Sequence, residues 1–164
     1  MSKEVRFPDG TLVRAAAITD RTVNRDWREF GLYADERWHP NWSASIIEWD
    51  DFGIPSDPEN AFDQITAAFH RAKQGTRVEV GCAGGTGRTG TILACMAVLA
   101  GVPASVAVTW VREHYSIYAV ETEAQEAWVT WFAERLSRPP PLDDLPTLRD
   151  HGTGSPRTGG TDAI

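Results

Sequence analysis

The stretch from Thr76 to Ala100 constrains this chain more than any other. A short β-branched run, Thr76-Arg77-Val78-Glu79-Val80, leads directly into Gly81-Cys82-Ala83-Gly84-Gly85-Thr86-Gly87-Arg88-Thr89-Gly90. Behind it, Thr91 to Ala100 is apolar nearly all round. That order predicts a strand, a glycine-rich turn and a buried helix stopped by Gly101. A strand, turn and helix joined in this way aim several backbone N–H groups at one point, at the positive end of the helix dipole. The turn therefore suits a phosphate-like anion. Cys82 opens it and Arg88 closes it, with Thr89 next. The amides that attract an anion also favour the thiolate, the nucleophilic form of cysteine. A guanidinium at the helix start can hold two phosphoryl oxygens in fork geometry, which a lysine ammonium cannot match. The Thr89 hydroxyl is placed to donate to the sulfur.

The same residues admit three other interpretations. Gly85 to Gly90 satisfies G-x-G-x-x-G, the dinucleotide-binding fingerprint. The strand before it is not the first of the chain, however, and no clear second strand carries a ribose-binding acid about twenty residues on. A Walker A loop fails because no lysine precedes Thr89. A tight packing turn around a buried cysteine is the third, and it leaves the arginine at fixed spacing and the following hydroxyl unexplained.

Around this unit the pattern predicts an α/β domain over residues 4–138, with a central mixed sheet of four to five strands flanked by helices. Val5-Arg6-Phe7 and Thr11-Leu12-Val13 read as short strands about the Asp9-Gly10 turn, and Gly31 to Ala34 as another. Asp20 to Phe30 reads as a short helix capped by Asp20 or Thr22. Asp35 to Pro58 has no regular period and holds Trp38, Trp42 and Trp49, the signature of a functional loop. A helix opens at Ser56 or Asp57 with Pro58 at its first position, carries Phe62, Ile65 and Phe69 on one face, and ends near Gly75. Two more helices run from near Pro103 to about His114 and from near Glu121 to about Ser137, with Trp110, Trp128 and Trp131 read as core or partial core. Residues 139–164, opening Pro139-Pro140-Pro141, read as a disordered Pro/Gly-rich tail, either a linker or an extended partner-binding segment.

Composition narrows the partners. The 164 residues carry 16 Lys plus Arg against 23 Asp plus Glu, a net charge of −7. No basic surplus exists to neutralise a phosphate backbone, so neither nucleic acid nor an anionic membrane is expected as partner. Cys82 and Cys95 allow at most one disulfide and offer no metal-ligand spacing, which fits a reducing, cytoplasmic setting. Cys95 reads as a small core residue or, alternatively, as a disulfide partner for oxidised Cys82. His39 reads as a surface residue or, alternatively, as a contact to substrate or Asp51, and Arg112 and His114 as capping or solvated groups at a helix end.

Cys82 to Thr89 resembles the C-x5-R-[ST] phosphate-binding loop of the protein tyrosine phosphatase superfamily, in its small dual-specificity-type form. Trp49-Asp50-Asp51-Phe52-Gly53-Ile54-Pro55 is similar to the W-P-D-F-G-x-P mobile loop that carries the family's general acid. Val120-Glu121-Thr122-Glu123-Ala124-Gln125 resembles the segment in which a glutamine positions the attacking water. The resemblance implies a phosphomonoester hydrolase without metal or other cofactor, acting on a phosphorylated protein or a small phosphomonoester. It implies Cys82 as nucleophile, Arg88 and the amides of Ala83, Gly84, Gly85, Thr86, Gly87 and Arg88 as phosphate binders, and Thr89 as the partner of the departing sulfur. Asp51 is implied as general acid, with Asp50 beside it as the alternative, and Gln125 or Glu121 as the residue that positions water.

Several positions depart from that pattern. Gly81 stands where the family commonly has histidine, Asp50 replaces the loop proline, and Glu121 falls where one glutamine is usual. There is no counterpart of the tyrosine-containing loop that deepens tyrosine-specific pockets, so selectivity for phosphotyrosine alone is not implied. The loop lacks the lysine that phosphoinositide phosphatases tend to carry. Two rivals remain: a catalytically weak phosphate-binding pseudophosphatase module, and an RNA 5′-phosphatase, which would want a basic channel.

Overall fold

The computed structural model describes residues 2–20 and 26–138. Five strands, β1 (Lys3–Arg6), β2 (Leu12–Ala17), β3 (Phe30–Tyr33), β4 (Ala44–Ile46) and β5 (Val78–Cys82), form one sheet in the order β1-β2-β5-β3-β4. Only the β1–β2 pair is antiparallel; β5 lies parallel to β2 on one side and β3 on the other. The central position of β5 explains its sequence. All five of its residues are buried, and both neighbours hydrogen-bond to it.

Among the described residues, four helices flank the sheet: α1 (Pro58–Lys73), α2 (Gly87–Leu99), α3 (Ala104–His114) and α4 (Glu123–Ser137). Asp57 caps α1 through a 3.0 Å bond from the Asn60 amide, and the helix buries Phe62, Ile65 and Phe69 as its period requires. Thr122 caps α4 in the same way, from the Gln125 amide. Helix α2 is buried along most of its length and touches α1, α3, α4 and β5, so it is the centre of the helical layer. Trp128 is buried, and Trp110 and Trp131 pack against the core from partly exposed positions. Cys95 is a fully buried free thiol among these contacts, and burial pushes it well above the ordinary thiol range. No helix among the described residues is long and apolar enough to cross a membrane.

Four expectations change. Asp35 to Pro58 contains the short edge strand β4, whose three residues are too few to show a period. Helix α2 begins at Gly87, four residues before the apolar run, because the end of the glycine turn already has helical geometry. The strand read as Thr76 to Val80 is shifted to Val78–Cys82, which puts Cys82 at its end. Of the helix expected from Asp20 to Phe30, residues 26–29 are irregular, and Phe30 begins β3; residues 21–25 lie outside the described residues, as does the tail expected over 139–164.

Candidate active site

Parallel strands deliver their carboxyl ends to one edge of a sheet, and that edge is where open α/β sheets place ligands. Here β5 ends in Cys82, β2 runs on to Thr19, β3 to Ala34 and Asp35, and β4 to Trp49 and Asp51. Residues distant in sequence thereby surround the turn between β5 and α2. The end of β5 is tied on both sides, by the Ile18 amide to the Cys82 carbonyl and the Ala34 amide to the Gly81 carbonyl, each at 2.9 Å.

Cys82 is 2% exposed, and the Thr89 hydroxyl donates to its sulfur at 3.0 Å. Helix α2 starts behind it with no side-chain cap on its first amides and no acid in its first turn. Those amides are left for a ligand. The Arg88 guanidinium is 3% exposed. Its Nη1 donates to the carbonyls of Ala34 at 2.8 Å and Trp49 at 2.9 Å, which fixes the plane of the fork. Its Nε has no hydrogen-bond partner among the described residues and lies 3.6 Å from Asp51 Oδ1. A buried guanidinium nitrogen that lacks a hydrogen bond is costly unless a ligand completes it.

The segment carrying Asp51 is a closed loop. Trp49 and Pro55 form an antiparallel bridge, and the Gly53 amide donates to the Asp50 carbonyl at 3.0 Å. Fully buried Trp49 donates from Nε1 to the Gly53 carbonyl at 2.7 Å and meets Trp128 edge to face. Phe52 at the apex adopts φ +61 and is 64% exposed. Such backbone in a bulky residue is strained, and it puts the neighbouring carboxyl group over Arg88. Asp50 and Asp51 both line a cleft of about 250 Å³ with Asp35, Glu36, Arg37, Trp49 and Arg88. Arg37 holds Asp35 through two side-chain bonds of 2.9 and 2.8 Å, which keep its carboxyl below the usual carboxylate range.

The segment before α4 closes the third side. Val120 has φ +62, an outlier for a β-branched residue, and Arg112 holds the carbonyls of Ala119 and Val120 at 3.0 and 2.8 Å. A side chain at Gly90 would collide with Ala119 and Val120, and one at Gly87 would lie 2.7 Å from Glu121 Oε2. Glu121 thus stands against the end of the phosphate-type turn, and no described residue bonds its carboxylate. Gln125 is fully buried with both ends of its carboxamide engaged: Oε1 accepts from the Glu121 amide at 2.8 Å and Nε2 donates to the Gly53 carbonyl at 3.2 Å.

The structure therefore brings Cys82, Arg88, Thr89, Asp51 and the turn from Ala83 to Gly87 together, with Glu121 at its edge and Gln125 behind the acid loop. His39 is exposed, and His114 bonds the Trp110 carbonyl and stacks on that ring. Gly81 has a physical reason: a Cβ there would sit 2.7 Å from the Ala16 carbonyl and 3.1 Å from the Tyr33 ring, so Tyr33 fills the room a larger residue would need. Sequence reasoning did not single out Thr19, Asp35, Arg37 or Tyr115, which lie on segments without any motif. Among the described residues no cluster of three His, Cys, Asp or Glu is placed to hold a metal ion.

Comparison with known proteins agrees with this arrangement. Residues 50–130 match the family model described as PTP-SAK, Swiss Army Knife protein, DSP-PTPase phosphatase domain. An uncharacterized protein of Methanocaldococcus jannaschii is 36% identical over 115 residues, covering 63% of this chain and 70% of that one. Among solved structures, Tk-PTP in its active form superposes with a TM-score of 0.63 at 23% identity, covering 75% of this chain and 92% of that one. Kinase associated phosphatase, with its catalytic-site cysteine replaced by serine, gives a TM-score of 0.67 at 14% identity, covering 84% and 97%. At those identities the structures speak for the fold. The family match, with the order of the motifs, places this chain in the protein tyrosine phosphatase superfamily, among its small dual-specificity-type members.

Proposed function

We propose that residues 4–138 form a cysteine-dependent phosphomonoester hydrolase, acting on phosphorylated proteins or small phosphomonoesters in the cytoplasm through a cysteinyl-phosphate intermediate. The observation that carries this is the convergence at one buried point of the Cys82 sulfur bonded by Thr89, an Arg88 Nε without a hydrogen-bond partner, and the Asp51 carboxyl 3.6 Å from it.

In the first step the Cys82 thiolate attacks phosphorus in line, a P–S bond forms and the P–O bond to the leaving group breaks. Asp51 gives its proton to the departing oxygen. The amides of Ala83 through Arg88 and the Arg88 fork hold the equatorial oxygens, a preorganised donor set aimed where charge develops. In the second step water attacks phosphorus, Asp51 takes a proton from it, and the P–S bond breaks to return phosphate and the thiolate. The Thr89 hydroxyl stabilises the departing sulfur. Of the two candidates for holding the water, Glu121 has the free carboxylate, whereas Gln125 fixes the acid loop through Gly53.

The test is hydrolysis of p-nitrophenyl phosphate by the full chain with EDTA present. Turnover that disappears in Cys82→Ser supports the proposal. Well-folded protein that binds phosphate or a phosphopeptide without turnover replaces it with a phosphate-recognition module.

A further inference from the structure

The phosphate-type turn is built largely from glycine, which turns its peptide planes at little cost. Gly85 sits at φ +68, where a Cβ would meet the Ala17 backbone at 2.9 Å. Nothing intrinsic to such a sequence keeps its amides pointed at a ligand. Yet three successive carbonyls of the turn each accept a bond from a hydroxyl. The Ala83 carbonyl accepts from Thr19 Oγ1 at 2.9 Å, with the Thr19 amide at 3.4 Å. The Gly84 carbonyl accepts from Thr86 Oγ1 at 3.2 Å, and the Gly85 carbonyl accepts from the Tyr115 hydroxyl. A peptide unit is planar and trans, so its C=O and the following N–H point in opposite directions. Holding these carbonyls away from the centre turns the amides of Gly84, Gly85 and Thr86 towards it.

We propose that Thr19 and Tyr115 are positioning residues that keep the phosphate loop in its anion-binding form by holding the Ala83 and Gly85 carbonyls outward. Thr86 belongs to the loop itself, whereas the other two reach it from outside, Thr19 from the end of β2 and Tyr115 from the end of α3. The backbone of Tyr115 is anchored on both sides, because its amide donates to the Val111 carbonyl at 2.8 Å and its carbonyl accepts from Lys3 Nζ at 2.6 Å. Burial and the nearby Cys82 sulfur push its phenol up to about 12, so the hydroxyl remains a donor throughout the neutral range. Without these two bonds a glycine peptide can rotate, bringing a carbonyl dipole to the place of the phosphate and beside the sulfur. The proposal rests on the phosphatase reading for its purpose, although its mechanism concerns anion binding alone.

Tungstate binding by the full chain, measured by titration calorimetry, tests it with Tyr115→Phe, Thr19→Val and Thr19→Ser, alongside melting temperature and the kcat against KM split on p-nitrophenyl phosphate. Loss of one hydrogen bond to the loop predicts a Kd for tungstate raised about tenfold in Tyr115→Phe and Thr19→Val. KM should rise in parallel, and Thr19→Ser, which keeps the hydroxyl, should retain wild-type affinity. A purely structural role would lower the melting temperature and leave the affinity of the folded protein alone. A Kd changed less than threefold in Tyr115→Phe or Thr19→Val overturns the assignment of that residue. Wild-type protein that binds tungstate but hydrolyses nothing removes the phosphatase reading and leaves this one to be decided on Kd, whereas wild-type protein that binds no tungstate overturns both.

Discussion

Glu79 lies three residues before Cys82, on a strand buried along its whole length, and its carboxylate is 3% exposed. It accepts from Arg28 Nε at 3.0 Å and from the Tyr33 hydroxyl at 2.7 Å. Tyr33 in turn accepts from Trp42 Nε1 at 3.0 Å, while the Arg28 guanidinium lies 4.0 Å over the Trp42 ring. Burial, and then the Glu79 charge, push the Tyr33 phenol far above its ordinary value, so it stays a donor. Replacing Arg28 by methionine keeps most of the packing volume and strands the carboxylate. Removing one partner of a buried pair costs about 3–5 kcal/mol. For a chain of this size each kcal/mol lowers the melting temperature by about 2–4 °C, so Arg28→Met should melt about 6–20 °C below the wild type. Adding Glu79→Gln removes the stranded charge while its amide oxygen can still accept from the Tyr33 hydroxyl, and the double variant should recover more than half of the loss. Thermal unfolding followed by circular dichroism reads both. An Arg28→Met cost below about 1 kcal/mol, or a double variant as unstable as the two single losses added, would refute the reasoning, because either result means the carboxylate is not held as a buried ion.

Other perturbations act closer to the chemistry. Thr89→Ala removes the 3.0 Å donor to the Cys82 sulfur; a hydrogen bond to a charged group is worth about 1.5–3 kcal/mol, so breakdown of the cysteinyl-phosphate should slow about 10- to 150-fold and appear in stopped flow as a nitrophenol burst. Gly81→Ala puts a Cβ 2.7 Å from the Ala16 carbonyl of the paired strand and should destabilise by about 1–3 kcal/mol, whereas Gly84→Ala meets nothing within 4 Å and should melt within about 2 °C of the wild type. The bonds from Arg37 depress the Asp35 carboxyl, so its stabilising contribution is complete above the ordinary carboxylate range and is lost as pH falls through its lowered native value. The gap in melting temperature between wild type and Asp35→Asn should therefore narrow from about pH 6 to pH 3, and a constant gap would count against the pairing.

The strand, turn and helix around Cys82 were legible because each part carries a local signal: a β-branched run, clustered glycines and an apolar stretch. The register with Phe52 and Gly53 singled out Asp51, and the fold sets its carboxyl 3.6 Å from Arg88 Nε. What escaped depends on distant backbone. The three-residue strand β4 is defined by pairing with β3 rather than by a pattern of its own. Glu79 alternates with valines as a solvent-facing residue would, and only the Arg28, Tyr33 and Trp42 side chains reveal that it is buried. The glycine at position 81 follows from the Tyr33 ring and the Ala16 carbonyl, neither of which is near it in sequence. Gln125 carries a motif, yet its partners are backbone groups of Glu121 and Gly53, so spacing alone could not separate positioning water from positioning a loop.

In the proposed mechanism Cys82 is the nucleophile and Asp51 its proton donor. Steady-state hydrolysis of p-nitrophenyl phosphate from pH 5 to 8 in the presence of EDTA, with wild type, Cys82→Ser and Asp51→Asn compared at matched folding, tests it most directly. The wild type should turn over, Cys82→Ser should not, and Asp51→Asn should be slower. Activity that survives in Cys82→Ser, or its absence from well-folded wild-type protein, would contradict it.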